Sequence, residues 1–339
     1  MTIVLQSHDE AEEERRRRRR RYLAILPLLL SLFLAALGVF TLLMRGGMAP
    51  RAGLPSVLGT QSGKPSFDRA VEPVGRPLAV AISPDGKKLY VAESAGAYGV
   101  QVFDKAGAAV ASLNPPHTTE TTRQPMGLAV AQDGTGYVVD RRLQQVVVYE
   151  ADGTYRDVLK PDGVDSWAPL GITVDQQGVL YVTEALDLPE TQRHRVYVLN
   201  ADGSIVKEFG QKGDASNDLM FPGPIAVDNH GRIWVGDITG VKVFGADGQF
   251  LFRLRSEGEG AVALPGGIAA HGDHVYVSDT INHQVLVFKS SPDVATFEVA
   301  FGQLGFGRGD FRYPSGIAVS ASRIYIADRE NGRVDIWTP

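Results

Sequence analysis

The sequence contains no cysteine. Disulfides, thiol catalysis and cysteine-based metal sites are excluded, so burial alone must hold the fold. There is no positive excess either, since the formal net charge is −5. Nucleic-acid binding needs a basic surface, and no nucleic-acid partner is expected. Histidine is sparse: the seven are His8, His117, His194, His230, His271, His274 and His283. None forms an HExxH pair, and neither a nucleophile elbow nor a phosphate loop occurs. Gly302–Gly309 is glycine-rich but opens no helix, which argues against a dinucleotide fingerprint.

Long apolar runs are missing too, with one exception. Tyr22–Met44 is 23 residues without a charge, directly after the seven arginines Arg15–Arg21. About 20 apolar residues span a bilayer as a helix. The arginine block should stay cytoplasmic, since only Arg45 and Arg51 flank the other side. A cleaved export signal has a shorter apolar core, typically about 7–15 residues. The expectation is therefore a single-pass cell-membrane protein. Residues 1–21 would form a cytoplasmic tail, 22–44 a transmembrane helix, and 45–65 a flexible linker rich in Gly, Pro, Ser and Ala. The rest would be extracytoplasmic.

Beyond residue 65 one phrase recurs. It opens on Pro77, Pro125, Pro169, Pro222, Pro265 and Pro314, at intervals of 48, 44, 53, 43 and 49 residues. Each copy has an aromatic, an apolar residue and then an acid, as in Tyr137-Val138…Asp140 and Tyr276-Val277…Asp279. A third apolar run follows, and in most copies a hairpin such as Asp152-Gly153 and a fourth run. Four short strands per repeat of about 40–50 residues is the pattern of a propeller blade. The recurring acids Glu93, Asp140, Glu184, Asp237, Asp279 and Asp328 read as structural. A catalytic pair would appear once, not six times.

The spacing Asp279-x-x-Asn282-His283-x-Val285-x-Val287 and its parallel Asp328-x-x-Asn331-Gly332-Arg333-Val334 resemble the NHL repeat. The resemblance implies an all-β, six-bladed β-propeller over residues 66–339, behind the single N-terminal transmembrane helix. Blade one departs at Ala95–Gly99, and blade three inserts Ala185–Arg195. The sixth copy ends after its third strand. Ser66–Gly75 precedes the first copy and reads as a lone fourth strand, so it should pair with Arg333–Trp337 and close the ring.

In a four-stranded meander, alternate turns lie on opposite faces. The first-to-second and third-to-fourth turns are short throughout. The second-to-third turns and blade-to-blade links are long and irregular, among them Asn114–Gln124, Ala185–Arg195, Gly210–Phe221 and Gly302–Tyr313. Length variation confined to one face marks the binding face of a repeat protein. Candidate ligand-binding residues there are His117, Arg123, Trp167, Asp187, Glu190, His194, Arg308 and Arg312. Trp167 reads equally well as a plug over the seam between blades two and three.

The expected function is binding or scaffolding of a protein or envelope-glycan ligand, with no cofactor. The alternative comes from the resemblance. Lactonases and amidating lyases use similar six-bladed propellers with a divalent metal in the channel. That reading implies a metal-dependent hydrolase or lyase, and it needs three or more Asp, Glu, His or Asn side chains converging on one point.

Overall fold

The computed structural model describes residues 64–339. The expected tail and membrane span lie outside the described residues. Among the described residues, no helix is long and apolar enough to cross a membrane. The architecture is six four-stranded antiparallel sheets, each a meander. The blades cover residues 77–113, 125–159, 169–209, 225–253, 265–301 and, for the sixth, 314–338. The first strand of each blade is innermost, and these strands neighbour one another around a central channel.

The sixth sheet holds three strands from the end of the chain and one from before the first blade. Ser66–Val71 lies antiparallel to Arg333–Thr338, with Phe67 opposite Trp337 and Val71 opposite Val334. Phe67 meets Trp337 edge to face at 5.8 Å. Past the strand, Val74 N still donates to Gly332 O at 2.8 Å. This pairing leaves neither side of the seam with an open edge facing the ring.

The core is six separate apolar clusters, each filling the gap between two neighbouring blades. Period-two alternation explains this. A strand that presents one row of side chains to the blade before it presents the other row to the blade after it. The strand-two aromatics serve this packing: Trp234 is fully buried between blades four and five.

The innermost strands approach one another very closely. A Cβ on Gly171 would lie 1.9 Å from Gly223 O, and one on Gly316 would lie 2.6 Å from the Ala79 Cα. Glycine two residues after the opening proline, at Gly127, Gly171, Gly267 and Gly316, therefore meets a packing requirement, while blade one carries Ala79 there. Blade four differs: its first strand is only Ile225–Val227. Pro224 has no N–H for the ladder, so pairing is carried instead by Gly223 N on Gly236 O and Gly236 N on Pro224 O.

Blade three corrects one expectation. Ala185–Arg195 is not an irregular loop. Its second and third strands run on as Leu180–Asp187 and Gln192–Leu199, in register to Asp187 opposite Gln192. Ala185 and its cross-strand partner His194 are buried on one side of the extension and Leu186 on the other, so both faces are partly covered.

Candidate functional site

The long-loop face is built from six links, and each is fastened by an acid of the second strand of the blade it enters, the last residue of that strand in every blade but the third. All six acids are buried. Glu93 accepts from Gly75 N at 2.8 Å, Asp140 from Gln124 N at 3.0 Å and Asp237 from Met220 N at 2.9 Å. Asp279 accepts from Ala263 N at 2.8 Å, Asp328 from Arg312 N at 2.6 Å and Glu184 from Ala168 N at 3.4 Å. Asp140 and Asp237 also take N–H groups of their own following turns, at Leu143 and Thr239. The recurring acids are therefore structural, and they fix where the links sit.

Two of these links are near copies. Gly210–Pro222 and Gly302–Pro314 both read G-Q-x-G, then an acid eight residues after the first glycine, then an aromatic and proline. In each the glutamine bonds that acid: Gln211 to Asp218 at 2.8 Å and Gln303 to Asp310 at 2.9 Å. Each ends on an aromatic in the left-handed region, Phe221 at φ 52 and Tyr313 at φ 55. Bulky residues seldom adopt that conformation, which costs about 1–3 kcal/mol and must be held by its surroundings.

A histidine holds each one. Phe221 N donates to His194 Nδ1 at 3.1 Å, and Tyr313 N donates to His283 Nδ1 at 3.0 Å. In both pairs the ring centroids are 4.7 Å apart. At His283 the accepting Nδ1 carries no proton, so that imidazole is neutral with hydrogen on Nε2; the His194 Nδ1 faces both Phe221 N and, at 3.3 Å, Leu219 O, and its role toward each is set by the tautomer. Burial keeps both below the ordinary histidine value, and the Arg312 charge adds to this at His283.

Around these aromatics runs an exposed apolar arc over blades four to six. It comprises Phe221, Ile238, Ile281, Leu304, Phe306 and Tyr313, with Phe306 74% and Ile238 54% exposed. Exposed aromatics are enriched among residues that carry binding energy. Three arginines edge the arc. Arg312 lies over the Phe306 ring at 4.5 Å and Arg329 over the Tyr313 ring at 5.6 Å. Arg76 pairs with Glu330, which also faces Arg329 at 3.2 Å. The Arg76 contact, with help from Arg329 and Arg312, holds the Glu330 carboxyl below its usual range. Inside the arc the channel opens in a pocket of about 330 Å³ lined by Leu78, Met126, Leu170, Phe221, Ile238, Leu264 and Arg329.

The eight candidates from the sequence fall into three groups. Arg123, Trp167 and His194 are buried and employed within the fold. Arg123 Nε and Nη2 donate to the carbonyls of Tyr98 at 3.1 Å and Ala97 at 2.9 Å. Trp167 is in the cluster between blades two and three, edge to face with Tyr197 at 6.4 Å. It is the seam plug, not a surface aromatic. His117, Asp187, Glu190 and Arg308 are exposed. Asp187 is paired with Lys212 at 2.6 Å and faces His194 Nε2 at 3.7 Å. Arg308 lies over Phe67 at 5.2 Å. Arg312 is half-buried, and among the eight it alone has its guanidinium on the arc. Polar or charged side chains, and for Trp167 its aromatic ring, drew attention to these residues. The missed signal was the twinned link with its aromatic directly before proline.

The channel's other mouth is roomier, about 800 Å³, with Val130, Val174 and Val227 inside a rim that includes Gln132, Asp175, Asp228 and His271. Leu128, Ile172, Ile225 and Ile268 line the channel from both ends. Volume favours this short-turn mouth. Strained, clasped aromatics and irregular links favour the other, and these are the features an interaction face needs. Among the described residues, no three His, Asp or Glu side chains group to hold a metal ion.

Residues 311–337 match the NHL repeat family. This blade is an NHL repeat. It contributes Arg312, Tyr313 and Arg329 to the mouth of the propeller. No curated protein matches the chain. Many solved structures resemble it, three among them as follows. Virginiamycin B lyase from Staphylococcus aureus has a TM-score of 0.54 at 18% identity, over 78% of this chain and 80% of that one. A gluconolactonase from Xanthomonas campestris reaches 0.60 at 16%, over 79% and 88%. The Cps50 (Swd1) β-propeller domain of Myceliophteria thermophila reaches 0.55 at 11%, over 81% and 100%. At these identities the likeness shows the fold alone, and this fold serves both enzymes and other proteins.

Proposed function

We propose that the protein is a membrane-anchored, non-catalytic binding module whose extracytoplasmic propeller takes a protein partner on its long-loop face. One observation carries this reading: the exposed apolar arc, with Phe221 and Tyr313 held in costly backbone conformations on a rigid scaffold. A rigid surface binds without paying for ordering on contact. The anchor is supported by the uncharged run 22–44 beside its arginine block. Ser66 pairs with Thr338, at the short-turn end of the last strand, so the chain enters the propeller on the rim opposite the arc. The hydrolase or lyase reading has the fold alone behind it.

The test is capture of partners from membrane extracts by the full-length protein and by the triple variant Ile238→Ala, Ile281→Ala, Phe306→Ala. All three side chains are more than half exposed, so the fold should survive their loss. Specific partners recovered by the parent should be lost by the variant. Equal recovery would remove the long-loop face from consideration.

A further inference from the structure

The pocket inside the arc has a chemistry of its own, and it deepens the reading of that face as the binding face. Its wall is apolar from Leu78 and Met126 round to Ile238 and Leu264, and a single arginine, Arg329, stands on it. Asp237 also borders the pocket, but its carboxylate is buried and consumed by Met220 N, Thr239 and Lys242. Arg329 donates no hydrogen bond among the described residues: its buried Nε has only an ion-pair contact, with Glu330 Oε1 at 3.2 Å. Its one acidic neighbour, Glu330 at 3.2 Å, is already bonded to Arg76. Arg312 adds a third cation close enough to depress the same carboxyl. One carboxylate thus faces three guanidinium groups at the edge of an apolar hollow, in a protein whose overall charge is −5.

Stacking on Tyr313 at 5.6 Å holds the Arg329 guanidinium without using its donors. A planar fork of donors fits a carboxylate in two parallel hydrogen bonds, and a lysine cannot copy that geometry. The volume of about 330 Å³ falls at the small end of ligand pockets. We propose that this pocket binds a carboxylate carried on an apolar body, with the acid on Arg329 and the body between Phe221, Ile238 and Leu264. A free fatty acid and the apolar C-terminus of a chain share that chemistry.

The experiment is calorimetric titration of the full-length protein with octanoate, with octanol, and with N-acetyl-leucyl-leucine as free acid and as amide. Parallel titrations use Arg329→Gln and Arg329→Lys, with thermal melts to confirm folding. A charge-assisted pair in a shielded site should favour an acid over its neutral analogue by about tenfold to a hundredfold. Arg329→Gln should abolish that preference, and Arg329→Lys should restore part of it. Whichever acid binds more tightly identifies the source. Equal binding of acid and neutral analogue overturns the proposal, as does no binding of either acid, or a preference that survives Arg329→Gln. Failure here is separable from failure of the wider reading. If partners are captured normally by Arg329→Gln while no acid binds, the pocket is refuted and the face stands. If the acids bind as expected but the arc variant captures every partner, the face is refuted and the pocket stands.

Discussion

Asp335 and Asp328 share one guanidinium, and this makes a sharp prediction about pH. Arg333 Nε lies 2.8 Å from Asp335 and 3.0 Å from Asp328. Arg333 otherwise spends its donors on the carbonyls of Phe306, Gly307 and Asp310. Both carboxyls are fully buried, so two acids face one cation away from water. Burial pushes the Asp335 carboxyl up to about 8; Arg333 opposes this, and the Asp328 and Glu72 charges add to it. The pair titrates as a unit that keeps one proton at neutral pH. In the unfolded chain an aspartate has a pKa of about 3.9. Between these values the folded state holds a proton that the unfolded state has lost. Stability is therefore greatest below about pH 4 for this group and falls by about 1.4 kcal/mol per pH unit until about pH 8. Asp335→Asn keeps the size and an acceptor for Arg333 but has no proton to lose. Urea unfolding at about pH 5 and pH 7 should show the parent losing about 3 kcal/mol more than the variant, which should be the more stable protein at pH 7. Parallel pH dependences would refute the shared-proton account.

Gly171→Ala should lower the melting temperature, because its Cβ would lie 1.9 Å from Gly223 O, whereas Gly223→Ala meets nothing within 4 Å and should change stability by less than about 0.5 kcal/mol. Phe67→Ala should cost about 2 kcal/mol in chemical denaturation, since its ring is half-buried against Trp337. Deleting 64–71 bares the edge of Arg333–Thr338 and should produce self-association visible by light scattering; a monodisperse monomer of normal stability would contradict the closure. His194→Ala should cost about 2 kcal/mol at pH 7.5 by freeing the Phe221 N–H. His194 has a folded pKa below its unfolded one, so the parent alone should lose that advantage as the pH falls through about 6.5.

The ring was legible in the sequence because its repeat is written in residues with local reasons to recur. Prolines open the inner strands, glycines let them touch, and acids fasten the links. Ser66–Val71 could be placed because a three-stranded sixth copy needs a fourth strand. The blade-three extension was less legible, because Gln192–Arg195 is polar and reads as loop until Ala185 and its cross-strand partner His194 are seen to be buried on one side and Leu186 on the other. The candidate site was hardest to read. Charge alone cannot tell a ligand-facing arginine from one bonded to carbonyls, and Arg123 proved to be the second kind. The apolar arc is made by residues from separate turns and links that are brought side by side only when six sheets close into a circle, a property no local window contains.

The closing strand has a mechanical consequence. It joins the ring from its N-terminal side and lies alongside Arg333–Thr338 for its whole length. Tension toward Met1 from a load seated on the arc runs along this pair of strands. All its backbone bonds are then stretched together, where a peeling load would break them in turn. The segment that seals the toroid is thus also placed to bear traction.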